Sequence, residues 1–334
     1  MTKSDVTIVS VGFQSAAVLD EMLSSVPSGV PVVFVDNNSG DGSQELLERE
    51  YSRYALFSNQ QNLGYCGGAN LGIRQAQGEY VLLLNPDVIL EPDVLQRLLA
   101  AAQQRPDAGI FAGKLLRFDR NTLDSTGQFL RRNLTPLERG YNQPDRGQYS
   151  QAGAVFSACG AAAFYRRAML EDICLHGDYF DESYFAFYED LDIGWRAQLF
   201  GWKACYVPDA VIYHYRGGGL SGQTRTTHWF ESLPFVPKFS FFRKPLFVQQ
   251  HIILNRYLTL LKNASWRDLF FSIPALLKLD LLLWGYVVCT RPVLSKTIWE
   301  FLKLLPATLE KRREIQRRRV VSSAYLRKYI QRDN

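Results

Sequence analysis

Three carboxylates within four residues, Glu189, Asp190 and Asp192, sit in an aromatic-rich stretch that runs YFDESYFAFYEDLDIGWRAQLFGW from Tyr179. On the first turn of a helix such acids crowd and perturb each other's proton affinity, the condition from which general bases are made. The same placement suits plain helix capping, because the N-terminal end of a helix dipole favours negative charge. Both readings stand on these residues alone.

Two further sites suggest binding chemistry. In LLLNPDV, Leu82–Val88, Asp87 lies two residues after Asn85 and just past an apolar run. That pattern suits a divalent ion shared with diphosphate oxygens, since magnesium usually takes one or two carboxylates plus phosphate and water. A helix cap is the alternative, with Pro92 and Asp93 close behind. His214, in AVIYHYRGGG, follows another strand-like run about two dozen residues after the acids. A lone histidine is usually a satisfied core or surface residue; here its place before three glycines makes it a candidate second metal ligand.

Asp36 ends an apolar run and is followed by Asn37, Asn38, Ser39, Gly40, Asp41, Gly42 and Ser43. Its carboxylate can accept hydrogen bonds from a nucleobase or ribose, while Asn38 through Ser43 fit turn chemistry equally well and Asp41 fits a helix cap. Downstream, the stretch from Asn59 through Asn62 to Asn70 and Gly72 carries Gly64, Gly67, Gly68 and Gly72 ahead of a helical pattern. It reads as a loop whose backbone amides approach a phosphate or sugar. It lacks both the GK[ST] of a Walker loop and the GxGxxG spacing of dinucleotide binders.

The elements that must position these residues alternate. Apolar runs at Val6–Val11, Val32–Val35 and Tyr80–Leu84 predict strands, and the patterns at Ala16–Val26, Ser43–Tyr51 and Pro92–Gln104 predict helices, which together imply a parallel sheet with helical crossovers. Ligands of such sheets bind beyond the carboxyl ends of the strands, where Asp36–Asn38 and Asn85–Asp87 fall. Arg117–Gln151 reads as excursions or edge hairpins, and Gly153–Arg166 as a resumed apolar strand. No internal repeat is present.

The chain has 334 residues, 47% apolar and 21% charged, with a net charge of +5. This is ordinary globular composition, and a mean hydropathy of −0.14 argues against a polytopic membrane protein. Five scattered cysteines without CxxC spacing suggest neither a disulfide framework nor a zinc site. The N-terminus alternates like a strand rather than like a cleavable leader, so a cytoplasmic location is expected. From Phe235 the chain turns rich in Phe, Leu and Trp. Leu269–Val288 has the length of a membrane span but contains Pro274, Lys278 and Asp280, which favours amphipathic helices lying on a membrane. Behind it, Lys311–Arg319 (KRREIQRRR) holds six basic residues and one acid. A solvated helix face or a nonspecific nucleic-acid patch fits that run. After such helices, attraction to anionic lipid headgroups fits better, at about 1 kcal/mol per basic residue near the surface.

In order and spacing, IVSVGFQSAAVLDEMLSSV, VDNNSGDGS, NQQNLGYCGGANLGI, LLLNPDV, SACGAAAFYRR, FYEDLDIGWRAQLFGW and AVIYHYRGGG resemble the family 2 glycosyltransferases, especially their bacterial rhamnosyltransferase-like branch. The resemblance covers about the first 230 residues. It implies a GT-A fold, an α/β Rossmann-like and mostly parallel central sheet flanked by helices. Residues 1–230 would form the catalytic domain and 231–334 a helical, basic, membrane-associating region. By resemblance, Asp36 and Asn38 lie at the donor's base or ribose, and Asn62, Gly64, Gly68 and Asn70 line the donor pocket. Asn85 and Asp87 match the family's DxD motif with Asn in the first place, so that Asp87 and His214 become ligands of Mg2+ or Mn2+. Asp190 matches the catalytic base, Glu189 would tune it or position the acceptor, and Asp192 and Arg196 would be structural. Val11-Gly-Phe-Gln departs from the Tyr-Asn pair more common after the family's first strand.

The expected reaction is an inverting sugar transfer from a nucleotide diphosphate donor, dTDP-L-rhamnose ahead of a UDP-sugar, to a hydroxyl of a lipid-linked or cell-surface glycan. The expected partners are that nucleotide sugar, that acceptor and an anionic membrane surface at the inner face of the plasma membrane; nucleic acid is not expected, and a homodimer is compatible with the reading. A nucleotidyltransferase would show a glycine- and basic-rich signature near the first strand, which is missing. A catalytically inactive membrane scaffold is the other alternative, against which the intact Asp87, Asp190 and His214 argue.

Overall fold

The computed structural model of the chain describes residues 5–216 and 240–331. The domain boundary expected at 230 and the glycines Gly217–Gly219 lie outside the described residues. The first half runs β1 (Val6–Gly12), α1 (Ala16–Ser24), β2 (Val32–Asp36), α2 (Ser43–Glu50), β3 (Ala55–Ser58), α3 (Gly64–Gln75), β4 (Tyr80–Leu84), β5 (Val88–Leu90), α4 (Val94–Gln104) and β6 (Ala108–Arg117). It continues with β7 (Leu123–Ser125), β8 (Gln128–Arg131), β9 (Pro136–Glu138), β10 (Gly153–Val155), β11 (Ala162–Arg166), α5 (Arg167–Ile173), α6 (Glu189–Leu199) and β12 (Lys203–His214). The C-terminal part comprises α7 (Leu246–Asn263), α8 (Trp266–Thr290), α9 (Lys296–Arg318), α10 (Ser323–Leu326) and β13 (Ile330–Gln331).

The central sheet has the order β10-β12-β6-β11-β4-β1-β2-β3, with β5 on β12 and β7 on β6. The expected parallel block is β4-β1-β2-β3. Beyond β4 the sheet is mixed, because β11 enters antiparallel to both β4 and β6, whereas β12 runs parallel to β6. The resumed strand expected at Gly153–Arg166 is divided between β10 and β11, which lie in different parts of the sheet.

Strands covered on both faces read as unbroken apolar runs, and alternate residues of β1 face opposite layers. Val9 and Val11 join Cys66, Ala69 and Ile73 of α3 in one core. Ile8 joins Leu19, Met22 and Leu23 of α1 and Val94 and Leu98 of α4 in the other.

Strand direction collects the polar residues. The carboxyl ends of β1, β2, β4, β6 and β12 and the amino end of β11 share one edge, because Gly12 pairs with Asp36, Leu84 with Ala162, and His214 with Arg117. A second sheet, β13-β8-β9, ties residues 330–331 to β8 and β9 of the first half of the chain. Leu254, Leu258, Ile315, Leu326 and Tyr329 belong to the same core as α3 and α6. The helices after residue 240 are thus packed into that core.

Candidate active site

At the end of β4, the backbone amide of Asn85 donates to the Ala161 carbonyl at 2.9 Å, and its Oδ1 is buried without a partner. Antiparallel pairing of β5 with β12 sets His214 opposite Val88 and so beside Asp87. Tyr215 then donates to the Asp87 carbonyl at 3.0 Å, and His214 Nε2 lies 3.5 Å from Asp87 Oδ2. His214 Nδ1 lies 2.8 Å from Asp124 Oδ2, and since a carboxylate can only accept, the histidine donates. Arg216 donates to the other Asp124 oxygen. Burial works to lower the His214 pKa, but hydrogen bonds and charge from Asp124 and Asp87 outweigh it and hold it up at about 9. Burial works to raise Asp124, and His214 and Arg216 bring it below the usual carboxylate range.

This donor set fits a divalent cation. It offers a carboxylate and an imidazole whose far nitrogen is oriented by a second carboxylate, the arrangement typical of metal-ligating histidines, and a bound cation would displace the Nε2 proton that the two carboxylates hold on it; Asn85, two residues before Asp87, adds an orphaned amide oxygen. Asp87, His214 and Asn85 are the residues that would hold it.

The second centre lies at the head of α6. Asp190 Oδ2 accepts from the Gly160 amide at 3.1 Å and from Gln128 Nε2 at 3.0 Å, and Oδ1 accepts from Leu191 N at 2.8 Å. The same Gln128 Nε2 lies 2.9 Å from Glu138 Oε1, and Ser125 donates to the other oxygen of Glu138. Burial raises all three carboxyls: Glu189 to about 8 with help from Asp190, Glu138 to about 7 with help from Asp190, and Asp190 itself above its ordinary value. Glu189 Oε2 is buried without a partner. Glu138, Cys159 and Asp190 bring three ligand-type atoms within 4.8 Å of one another. Burial pushes the Cys159 thiol well up and raises Glu138, so these two members hold protons where a cation would need their charge. Asp124 and Ser125 are neighbours on β7, so one short strand joins the two centres.

Asp36, at the end of β2, is fully buried and accepts hydrogen bonds from the amide and hydroxyl of Ser39. Asn38 is exposed with φ +64. The glycine stretch read as a loop is instead the helix α3. A Cβ on Gly72 would lie 2.3 Å from Val9 Cγ1, and one on Gly68 would lie 2.5 Å from Val11 Cγ1. These two glycines therefore let the helix settle onto β1 and do not present amides to a ligand. Asn62 Oδ1 receives the Gly64 amide at 2.8 Å, and Gly64, at φ +71, forms the turn into the helix.

Asn70 also departs from the sequence expectation. It is buried, accepts from Tyr179 N at 3.1 Å and Phe180 N at 2.8 Å, and donates to the Phe180 carbonyl at 2.9 Å and Glu182 Oε1 at 3.0 Å. Its side chain is spent on anchoring residues 179–182, which leaves it no group to offer a donor. Asp192 is likewise occupied, paired with Arg196 at 3.0 Å, Lys262 at 3.0 Å and Asn263 at 2.7 Å.

The basic run also differs from a free headgroup-binding patch. Lys311 reaches Asp181 at 2.7 Å, Arg312 binds the Leu261 and Ala264 carbonyls, Arg318 meets Asp172 at 2.9 Å, and Arg319 binds the Val321 carbonyl at 2.7 Å. These four and Ile315 recur at i, i+1, i+4, i+7 and i+8, one helix face turned inward. Arg313 and Arg317 are exposed.

The sequence profile of glycosyl transferase family 2 matches residues 7–174. N-acetylglucosaminyl-diphospho-decaprenol L-rhamnosyltransferase of Mycobacterium tuberculosis is 28% identical over 242 residues, 63% of this chain and 75% of that protein. Poly-beta-1,6-N-acetyl-D-glucosamine synthase of Staphylococcus aureus is 22% identical over 214 residues, 62% of this chain and 49% of the synthase, so the chain spans about half its length. Among solved structures, S. aureus TarS 1-349 in complex with UDP superposes with a TM-score of 0.51 at 16% identity, covering 93% of this chain and 91% of that one. GalNAc-T7 with UDP, GalNAc and Mn2+ also gives 0.51 at 13% identity, covering 63% of this chain and 43% of that one, so the chain spans less than half of its length. These structural likenesses establish the fold.

Proposed function

The chain belongs to glycosyl transferase family 2, in its rhamnosyltransferase-like branch and with the GT-A fold, and from that premise we propose that it is an inverting, metal-dependent transferase of L-rhamnose. The proposed donor is dTDP-L-rhamnose and the proposed acceptor a hydroxyl of a lipid-linked saccharide. The observation that carries this reading is the pairing of two unlike centres across β7, one built for a cation and one for a proton. The relative that acts on a decaprenol-linked sugar supports the choice of sugar and acceptor.

Asp87 and His214, with Asn85 beside them, would hold a divalent cation, which supplies charge neutralisation to the donor's diphosphate. Asp124 takes the Nδ1–H of His214 and so orients the ring with Nε2 toward Asp87. Asp36 and Asn38 would bind the base or ribose, and Asn62 and Gly64 shape the turn beside them. Asp190 would take the proton of the acceptor hydroxyl as that oxygen attacks the anomeric carbon from the face opposite the leaving group, with the raised proton affinity a base working near neutrality needs. Glu189, whose raised pKa keeps it protonated, would offer a hydrogen bond to the acceptor.

We place the protein at the cytoplasmic face of the membrane. Helix α8 is long and apolar enough to span a bilayer, yet it carries Lys278, which is exposed, and Asp280, which accepts from Arg256 at 2.6 Å and Tyr257 at 2.9 Å. Its other face exposes Trp266, Phe270, Leu277, Leu281 and Val288. An exposed apolar face on a helix whose opposite face packs on the protein, with a charged Lys278 and a paired Asp280 along its length, supports a helix lying on the membrane.

The test is a screen of dTDP-rhamnose and UDP-sugars with Mg2+ or Mn2+ and a polyprenyl-diphosphate saccharide, read by product mass and anomeric configuration. Transfer of rhamnose with inversion is expected. Preference for a UDP-sugar would replace the donor assignment, and retention of configuration would overturn the mechanism.

A further inference from the structure

We infer that Asn255, on α7, is the positioning residue that sets the catalytic acids at the head of α6. The inference rests on the reading of Asp190 as the base. Immediately before Glu189 the backbone is irregular: Phe185, Phe187 and Tyr188 take φ values of +61, +74 and +71, a region that side-chain-bearing residues disfavour. Such a segment persists only where its surroundings over-determine it. Its carbonyls are held from two sides. Asn255 Nδ2 lies 2.9 Å from the Tyr184 oxygen, 2.8 Å from that of Ala186 and 2.8 Å from that of Phe187, its two N–H groups shared among the three. The Phe185 oxygen accepts from the Cys66 amide of α3 at 3.0 Å.

Asn255 heads a buried polar stripe. Thr259 meets the Tyr184 hydroxyl at 2.8 Å, Lys262 meets Asp181 at 2.6 Å and Asp192 at 3.0 Å, and Asn263 meets Asp192 at 2.7 Å. Positions 255, 259, 262 and 263 are i, i+4, i+7 and i+8, one face of α7, and each side chain is fully buried. Thr259, Lys262 and Asn263 bind side chains on either side of the irregular segment. Asn255 alone of the four binds its backbone, two residues from Glu189 and three from Asp190. Through Asn255, α7 therefore braces the backbone that leads into the proposed catalytic acids.

The test compares Asn255→Ala with Thr259→Val, which removes a bond of the same stripe but leaves the backbone clamp. Both should lower the melting temperature. Only Asn255→Ala should reduce kcat, by about 100-fold as expected for a displaced catalytic group, with the metal-dependent Kd for donor nucleotide unchanged. Adding Phe187→Gly, which lets that position take a positive φ freely, should shrink the Asn255→Ala loss in kcat at least fivefold. Hydrogen exchange at residues 184–190 should accelerate in Asn255→Ala and not in Thr259→Val. An equal loss of kcat in both single variants, or an Asn255→Ala loss undiminished by Phe187→Gly, overturns the inference. If the wild-type chain transfers no sugar at all, the proposed function fails, while the exchange comparison still judges the clamp: unchanged protection at 184–190 in Asn255→Ala rejects it.

Discussion

His214 donates to Asp124 across 2.8 Å, and this bond, joining β12 to β7, decides which imidazole nitrogen faces Asp87. Asp124 is fully buried and has no route to solvent through which it could serve a ligand directly. Its place is behind the histidine, and loss of such an orienting partner typically costs 10–100-fold in metal affinity. Asp124→Asn should weaken Mn2+-dependent nucleotide binding by about that factor in calorimetric titration. Affinity equal to wild type would remove Asp124 and His214 together from the metal site.

Asp190→Asn keeps the shape of the side chain and its bonds from Gly160 and Gln128 but removes the basic oxygen. A positioned general base contributes about 10²–10⁴-fold, so kcat should fall by at least 100-fold while donor binding changes less than twofold. A variant with near-normal turnover would assign the proton to another group.

The pH dependence of stability should carry the mark of Glu189. Burial, then the charge of Asp190, raises its carboxyl from an ordinary 4.5 to about 8. Between those values the folded state keeps a proton that the unfolded chain releases, so stability falls as pH rises through that window and levels off above it. Glu138, raised to about 7, adds a slope of the same sign. Glu189→Gln cannot ionise, so its melting temperature should decline less between pH 5 and 8 than that of wild type. Parallel curves for the two proteins would show that Glu189 titrates normally.

Gly72→Ala sets two effects against each other. Alanine gains about 1 kcal/mol of helix propensity over glycine. Its methyl would sit 2.3 Å from Val9 Cγ1, on the buried face where α3 meets β1, and overpacking of that kind costs about 1–3 kcal/mol. The clash should win, with the Gly72→Ala midpoint in urea below that of wild type; a rise in the midpoint would mean that α3 can lift from the sheet at little cost.

The same contest explains why α3 was not legible as a helix from sequence. Four glycines argue locally for a loop, and only the close approach to Val9 and Val11, a contact made at long range, reverses the preference. Asp87 and His214 were legible because each closes a recognisable apolar strand, so strand direction alone sends both to one edge. Gln128, Asp124 and Glu138 were not, since they reach the site through the short β7, β8 and β9, whose pairing partners lie far away in sequence. The basic run misled for a related reason. Its composition describes a charged surface, but its i, i+4, i+7 spacing describes a face, and that face is turned toward Asp181 and Asp172.

Membrane attachment should therefore divide cleanly among the charges. Arg313 and Arg317 are exposed, and near an anionic surface each is worth about 1 kcal/mol, or roughly fivefold in partitioning. The double variant Arg313→Ala/Arg317→Ala should lose binding to phosphatidylserine vesicles with its melting temperature unchanged. Lys311→Ala should do the reverse, because Asp181 loses one of its two cations inside the fold. On the apolar side, Trp266 and Leu281 are each 75% exposed. Burying such side chains yields about 1.5–3 kcal/mol apiece, so Trp266→Ser/Leu281→Ser should weaken binding to neutral and anionic vesicles alike, whereas the arginine pair should matter only for anionic ones. Vesicle sedimentation with the three variants separates these outcomes. Wild-type protein that stays in the supernatant with both lipids would take the membrane out of the account and leave the face of α8 to a protein partner.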